Sequence, residues 1–149
     1  MDKPLSTWYC DVCDKKITNL KKGYVVWDTN KENKVSKFNI IHKKTCDKKK
    51  HISSAELQDF YGIEGMSYLI SKINNGLLLR MNGKKDHCQV SDFDEYMDFF
   101  RRMQVPFYEE ARRYFENVPY ASEHVDYVGF HSYLPETLEK IIREYGEKE

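Results

Sequence analysis

The sequence lacks any long apolar run, although 40% of its 149 residues are hydrophobic. No stretch approaches the roughly 18 apolar residues that a membrane-spanning helix needs. The first ten residues, MDKPLSTWYC, contain no apolar core of the length that a signal peptide requires. The aromatic and aliphatic content is high enough to form a core, so the chain is expected to fold. We therefore expect a soluble cytoplasmic protein with no membrane partner, and the sequence leaves its oligomeric state open.

Glycine is also scarce, with 7 residues in the chain, and neither a glycine-rich phosphate loop nor a nucleophile elbow occurs. The segment 122–133, SEHVDYVGFHSY, has no clear periodicity and holds His124, Asp126 and His131, which is compatible with a binding loop. No catalytic motif supports an activity for it. We assign no catalytic residues, and a protein without enzymatic activity is the favoured interpretation.

Cysteine is sparse as well, yet two of the 4 cysteines stand three positions apart in the stretch WYCDVCDKKI. In a reducing compartment, such spacing favours metal ligation or catalysis over a disulfide. A second pair follows in HKKTC, which gives the pattern Cys-x2-Cys, 28 residues, His-x3-Cys. We predict a Zn²⁺ site formed by Cys10, Cys13, His42 and Cys46. His51 is an alternative to His42, which we prefer because it ends a predicted strand.

Four protein ligands leave no coordination position for water, which favours a structural zinc site over a catalytic one. A module of about fifty residues with few aliphatic side chains also needs such a cross-link to fold. A thioredoxin-like redox pair lacks the required βαβ unit, and the zinc deaminase motif is absent. An iron–sulfur centre is a less common alternative at this spacing. Cys88, beside His87, is interpreted as an incidental loop cysteine.

The formal net charge of 0 hides a division of the chain. Residues 1–52 carry 13 lysines and 6 acidic residues, whereas residues 53–149 carry 11 basic and 18 acidic residues. Such asymmetry indicates two parts with different surfaces. We predict a zinc-binding module at 1–52 and a helical body at 53–149, with packing into one domain as the alternative.

The hydrophobic periodicity changes at the same place. GYVVWDTN, 23–30, and VSKFNIIH, 35–42, predict two strands joined by a KENK hairpin loop. From residue 53 onward the pattern is helical. Helix starts are predicted, in chain order, at the capping box Ser53/Glu56, within GMSYLISKINNG with a stop at Gly76, and near Ser91, Pro106 and Pro135. The predicted fold class is α+β, with an N-terminal zinc-stabilised knuckle and β-hairpin followed by a mostly helical body of about five helices.

A lysine-rich tract surrounds the predicted ligands and points to a partner. Lysines that follow phosphates, together with aromatic rings that stack on bases, are typical of surfaces that bind single-stranded nucleic acid. An acidic protein is the alternative partner. The lysines would also offset the negative charge of three thiolates around Zn²⁺. The candidate binding residues are Lys43, Lys44, Lys48, Lys49, Lys50 and Trp27.

Charged residues also follow one another in the predicted helices. Glu109 and Glu110 precede Arg112 and Arg113 at helical spacing, and FFRRMQ adds Arg101 and Arg102. Such charges most often form a solvated helix face, which is how we interpret them.

Several short motifs resemble those of a group of small uncharacterised bacterial and phage proteins with an N-terminal zinc-ribbon-like segment. These motifs are Trp-x-Cys-Asp-x-Cys, GYVVW, FNIIH with Cys46, LQDFYGIEGMSYLI and PFYEEARRY. The resemblance implies a zinc-binding N-terminus joined to a helical region, and it implies no activity.

Two other functions stay open from the residues alone: an interaction or regulatory protein with a purely structural zinc site, and a metal-dependent nuclease of the treble-clef type.

Overall fold

A computed structural model of the chain describes residues 3–47, 53–85, 88–119 and 131–146. Its strands are β1 (Trp8–Tyr9), β2 (Lys16–Ile17), β3 (Gly23–Thr29), β4 (Val35–His42) and β5 (Ser53–Glu56). Its α-helices are α1 (Gly62–Ser71), α2 (Gly76–Met81), α3 (Phe93–Gln104), α4 (Tyr108–Arg112) and α5 (Pro135–Tyr145). Strands near the N-terminus followed by helices confirm the predicted α+β class. None of the helices in these ranges has the length and apolar character needed to cross a lipid bilayer.

The larger sheet has the order β4-β3-β5, and both pairings are antiparallel. The predicted hairpin between β3 and β4 is confirmed. Its loop is closed by Asn30, whose side-chain oxygen accepts hydrogen bonds from the backbone N–H groups of Glu32 and Lys34, each at 2.9 Å. Asn33 takes the left-handed conformation, with φ of 61°, that lets the chain reverse. The turn chemistry therefore fixes the register next to the loop, where Thr29 pairs with Val35, and the register shifts once, between Val26 and Asp28.

The first predicted helix of the body is wrong, because residues 53–56 form strand β5. Trp27 pairs with Ser53 and Tyr24 pairs with Glu56 along β3. The chain then enters a 3-10 turn at Leu57–Phe60, and both end residues of this turn are fully buried. A free edge of β3 would leave a row of backbone groups unpaired, so pairing across the sheet prevails over the local capping signal.

Gly76 also has a different role from the predicted one. It does not end a helix but begins α2, with a φ of +83° that favours glycine. Helix α1 ends earlier, at Ser71. The helical spacing of Tyr96, Phe99, Phe100 and Met103 predicts an apolar stripe on α3, and the structure buries Tyr96, Phe99 and Met103 and half-buries Phe100.

Two hydrophobic cores stabilise the described residues. The larger core lies between the sheet and helices α1 and α3, and it includes Trp8, Ile40, Phe60, Leu69 and Phe99. The smaller core joins α4 to α5 through residues such as Ala111 and Leu138. The larger core contains residues from both sides of position 52. The division into a zinc-binding module at 1–52 and a helical body at 53–149 stays a prediction.

The outer edge of β4 is covered by backbone and side-chain groups from other parts of the chain. At its start, Val35 forms an isolated parallel bridge with Val90. The backbone N–H of Asp11 donates to the Ile40 carbonyl oxygen, and the Ile40 N–H donates to Oδ2 of Asp11, both at 2.7 Å. Further along, the N–H of Phe38 donates to Oε1 of Glu95 at 2.9 Å. These contacts protect the strand edge and hold the β1–β2 knuckle against β4.

Candidate metal centre

The first two candidate ligands lie in the tight knuckle between β1 and β2. The Cys10 N–H donates to the Lys15 carbonyl oxygen at 3.0 Å, and the Asp14 N–H donates to the Cys10 carbonyl oxygen at 2.9 Å. Asp14 adopts a φ of 61°, the left-handed conformation that aspartate tolerates better than most residues. The two-residue spacer inside this turn places Cys10 and Cys13 on the same side of the chain.

The other two candidate ligands come from the end of β4. His42 is the last residue of the strand and pairs with Gly23. A tight turn follows, in which the Thr45 N–H donates to the Lys43 carbonyl oxygen at 2.7 Å and Lys44 has a φ of 66°. The turn brings Cys46 back toward the His42 ring.

The four predicted ligands converge. One ligand atom from each of Cys10, Cys13, His42 and Cys46 lies within 4.8 Å of the other three. Nδ1 of His42 is 3.4 Å from the Cys13 sulfur and 3.7 Å from the Cys46 sulfur. Ligands at about 2.0–2.3 Å from a tetrahedral zinc ion are separated from each other by roughly 3.5–3.8 Å. The four side chains are therefore close enough to hold a metal ion, and their sulfur and nitrogen donors suit Zn²⁺.

A hydrogen bond orients the His42 ring for ligation. Nε2 lies 3.1 Å from the carbonyl oxygen of Lys16 on the knuckle. A carbonyl oxygen only accepts hydrogen bonds, so the ring proton belongs on Nε2 and the lone pair is left on Nδ1, which faces the three sulfurs. His51, the alternative ligand, lies outside the described residues.

The thiols of the site differ in acidity. Burial by itself raises the pKa of Cys10, but hydrogen bonds from the backbone of Cys13 and Val12 outweigh it and lower the pKa to about 6. The Val12 N–H lies 3.4 Å from the Cys10 sulfur. Burial and the neighbouring Cys10 sulfur raise the pKa of Cys46. The Cys10 thiol is therefore more readily ionised than the Cys46 thiol.

A buried polar network fixes the knuckle to helices α3 and α4. The guanidinium of Arg102 donates to both carboxylate oxygens of Glu109, to Oδ2 of Asp11 at 2.9 Å and to the Tyr9 carbonyl oxygen at 3.2 Å. Glu109 in turn accepts from the Tyr9 N–H at 3.0 Å. The indole Nε1 of Trp8 donates to the Arg102 carbonyl oxygen at 3.1 Å. The β1 strand and the first turn of the knuckle are therefore anchored directly to the helices.

The sequence predicts that the charged residues of α3 and α4 form a solvated helix face. This prediction is wrong for Arg102 and Glu109, which are each 3% exposed. Arg112 pairs instead with Asp98 at 2.8 Å, and Arg113 contacts Asp14 at 3.2 Å. One signal in the sequence could have revealed the burial of Arg102. Arg102 lies three residues after the buried Phe99 and next to Met103, so it falls near the apolar stripe of α3.

The predicted partner-binding residues have different surroundings. Lys43 forms an ion pair with Glu56 and lies 4.9 Å from the centre of the Tyr24 ring, so its charge is already engaged. Lys44 is exposed. Lys48, Lys49 and Lys50 lie outside the described residues.

The prediction that Trp27 contacts a partner is wrong, because this residue belongs to the core. Its side chain is 7% exposed, and its ring stacks on Phe38 with 5.6 Å between centroids. Val25 and Val26 are buried beside it, so both faces of β3 are covered and the alternation of exposed and buried residues is lost. Trp27 is a core residue, and it offers no free ring face to a base.

The remaining sequence candidates add nothing to the centre. Cys88 is exposed and is not a member of the four-ligand group. Its sulfur lies 3.7 Å from the carbonyl oxygen of Val90. Residues 122–130 of the predicted binding loop lie outside the described ranges.

No family model, curated protein or solved structure matches this chain. The resemblance to zinc-ribbon-like bacterial and phage proteins stays a prediction.

Proposed function

We propose that this chain is a zinc protein whose ion has a structural role, and that the basic surface around the ion contacts the phosphates of nucleic acid. The observation that carries the proposal is the convergence of four ligand atoms within 4.8 Å of one another. They come from two chain segments separated by 28 residues, so a bound ion would cross-link these segments. Three sulfurs and one imidazole nitrogen are the donors that structural zinc prefers.

The structural role follows from how the site is filled. Four protein donors complete a tetrahedron, so no position is left for a reactive water. Both nitrogens of His42 are occupied, since Nδ1 faces the sulfurs and Nε2 contacts Lys16. No histidine of the centre is therefore available as a general base, which supports a binding protein over the nuclease alternative.

The case for nucleic acid depends on exposed lysines at the metal end of the hairpin. Exposed lysines there are Lys15, Lys16, Lys21, Lys22 and Lys44. Their segments are joined by backbone contacts, because the Lys43 N–H donates to the Lys22 carbonyl oxygen at 3.0 Å and His42 contacts Lys16. Such a surface attracts phosphates and needs no stacking ring.

Nearby acidic side chains oppose this surface only weakly. Asp11 is paired with Arg102, and Asp14 is paired with Arg113. Their charges are therefore largely compensated by arginines from α3 and the end of α4. Asp47, next to Cys46, is also exposed. The sequence adds three further lysines at positions 48–50. The local balance thus stays positive even with the formal −1 charge of a three-thiolate zinc centre.

The metal proposal is tested by elemental analysis of the purified protein. We expect one zinc ion per chain in the wild type and in Cys88→Ser, which keeps all four ligands. Cys46→Ser should lose most of the zinc. A metal-free wild type, or iron in place of zinc, would overturn the assignment.

The partner proposal is tested separately by fluorescence anisotropy with a labelled single-stranded oligonucleotide at several salt concentrations. Replacing Lys21, Lys22 and Lys44 by glutamine should weaken binding and reduce the salt slope by about 2, because each phosphate contact contributes about 0.7. The matched control replaces Lys31, Lys34 and Lys37, which lie at or near the hairpin loop roughly 20 Å away along the strands. An equal loss in both variants, or no binding at low salt, would refute the nucleic-acid interface and leave the zinc assignment intact.

A further inference from the structure

Helix α2 belongs to a loop that leaves the body and returns to it. The Gln89 N–H donates to the Lys72 carbonyl oxygen at 2.8 Å, which closes the base of the loop. Above this contact, the side-chain amide of Asn75 donates to the Lys85 carbonyl oxygen at 2.6 Å. We call residues 74–85 the leucine loop. Its two ends are fixed by hydrogen bonds, so its tip is held in place as a defined structure.

The leucine loop exposes an unusual amount of apolar surface. Leu77, Leu78 and Met81 are 65%, 75% and 76% exposed, and Leu79 is 40% exposed. No residue of α2 is buried, and none belongs to either core. A helix of six residues is unstable on its own, and none of its large side chains is buried. A surface of this kind indicates a site that another body covers.

The charge around the loop restricts what that body is. Residues 72–89 contain four basic residues, Lys72, Arg80, Lys84 and Lys85, and one acidic residue, Asp86. Arg80, Lys84 and Lys85 are exposed on the same short segment as the leucines. An occupant with negative charge at the rim of an apolar layer complements this arrangement.

The side-chain types favour lipid over protein. Protein interfaces are enriched in aromatic residues, Met and Arg, of which the leucine loop has Arg80 and Met81. Leu, its main residue type, is under-represented among the energetically dominant interface residues, and Lys is depleted. The leucine loop has no aromatic residue. It is also a projecting tip rather than a groove. Apolar side chains flanked by lysine and arginine are instead typical of segments that lie in the interface of an anionic membrane.

We propose that the leucine loop docks on the surface of an anionic lipid bilayer. Leu77, Leu78 and Met81 enter the boundary between headgroups and acyl chains. Arg80, Lys84 and Lys85 lie beside the lipid phosphates. The interaction does not depend on the metal centre or on its proposed nucleic-acid surface.

The test is co-sedimentation of the intact protein with phosphatidylcholine vesicles, with and without phosphatidylglycerol. We expect binding to the mixed vesicles only. Leu77→Ser with Leu78→Ser should reduce the partition coefficient about tenfold or more, because it removes most of the inserted apolar surface. The matched control is Ile63→Ser, which removes an 81% exposed side chain from α1 and should leave binding unchanged.

A second pair of variants tests the charges. Lys84→Glu with Lys85→Glu should lower binding about tenfold or more. Lys21→Glu with Lys22→Glu makes the same change in net charge at the metal end, and its effect should stay within about twofold at physiological salt. Near-ultraviolet circular dichroism should show that all variants retain the wild-type fold, because every substituted side chain is exposed.

Three results would overturn the proposal. The first is no difference between the two vesicle types, and the second is equal loss of binding in the Ile63 control. The third is a dimer in light scattering that becomes a monomer in the Leu77→Ser, Leu78→Ser variant. That result would assign the leucine loop to contact between two copies of the chain.

Discussion

Arg102 and Glu109 form a bidentate ion pair inside the protein, with Nε 2.6 Å from one carboxylate oxygen and Nη2 2.8 Å from the other. The two side chains are 4% and 3% exposed. Burial alone would lower the pKa of Arg102, but Glu109 and Asp11 raise it well above its ordinary value. The guanidinium also contacts the Tyr9 carbonyl oxygen. One side chain thereby links β1 and the knuckle to α3 and α4.

Breaking this pair should be costly. Arg102→Gln leaves the Glu109 carboxylate buried without a counter-charge, and we expect the free energy of unfolding to fall by about 3–5 kcal/mol. Urea denaturation followed by tryptophan fluorescence measures the change. Arg112→Gln is the matched control, because its pair with Asp98 is 31% and 38% exposed and should contribute about 1 kcal/mol or less. Similar losses in the two variants would contradict a special role for the buried pair.

The parts of the fold that follow local rules were predictable from the sequence. The stripe containing Phe99 predicts α3, and Pro135 and Gly146 mark the two ends of α5. Strand β5 was not predictable in this way, because the capping signal of Ser53 and Glu56 is local. Pairing with β3 requires contacts between residues more than twenty positions apart, such as Trp27 with Ser53.

The same distinction applies to the candidate site. The spacing within each ligand pair, Cys10 with Cys13 and His42 with Cys46, is local information, and the structure brings the two pairs together as the pattern predicted. The anchoring network is not local, since the partners of Arg102 include Asp11, 91 positions away. Hydrophobic periodicity indicates whether a position is buried, but it does not identify which charged side chain contacts that position in the fold.

Loss of the metal should lower stability through the knuckle. When free zinc is about 1,000-fold above its dissociation constant, binding to the folded state contributes about 4 kcal/mol, which a strong chelator removes. Cys13 is the best ligand to replace, because it is exposed and Cys13→Ser leaves the core unchanged. Thermal unfolding of this variant should not respond to chelator.

Cys88→Ser provides the control for that experiment, since Cys88 is also exposed and is not a member of the group. Its unfolding temperature should fall on chelation by as much as that of the wild type. A chelator response that survives in Cys13→Ser would show that this sulfur does not hold the ion.

Tyr96 should give the protein an alkaline limit. Burial raises the pKa of its phenol above the ordinary value of about 10, and its hydroxyl donates to the Leu69 carbonyl oxygen. The neutral form is favoured in the folded state. Its contribution to stability is therefore constant below about pH 10 and decreases as the pH rises further.

Tyr96→Phe isolates this contribution. At neutral pH the variant should be about 1 kcal/mol less stable, because the hydrogen bond to Leu69 is lost. Above about pH 10, urea denaturation should show a smaller decrease in the free energy of unfolding for the variant than for the wild type, since the variant lacks the titrating phenol. Parallel pH profiles of the two proteins would exclude Tyr96 as the source of the decrease.

Gly65 in α1 has no room for a side chain. A Cβ placed there would lie 2.1 Å from the backbone carbon and 2.4 Å from the backbone oxygen of Phe60. Gly65→Ala must therefore displace the 3-10 turn that buries Leu57 and Phe60 against the sheet. We expect a loss of about 3 kcal/mol or more in the free energy of unfolding, measured by urea denaturation.

Gly62 provides the comparison. It begins the same helix, but alanine is unfavourable there for a different reason. Its φ is +70° and nothing lies within 4 Å of an added Cβ, so Gly62→Ala meets conformational strain alone. That strain costs about 1–2 kcal/mol. If Gly65→Ala were no more destabilising than Gly62→Ala, the close approach of α1 to the Phe60 backbone would be wrong. The larger loss at Gly65 would instead show that the helix packs directly on the turn that follows β5.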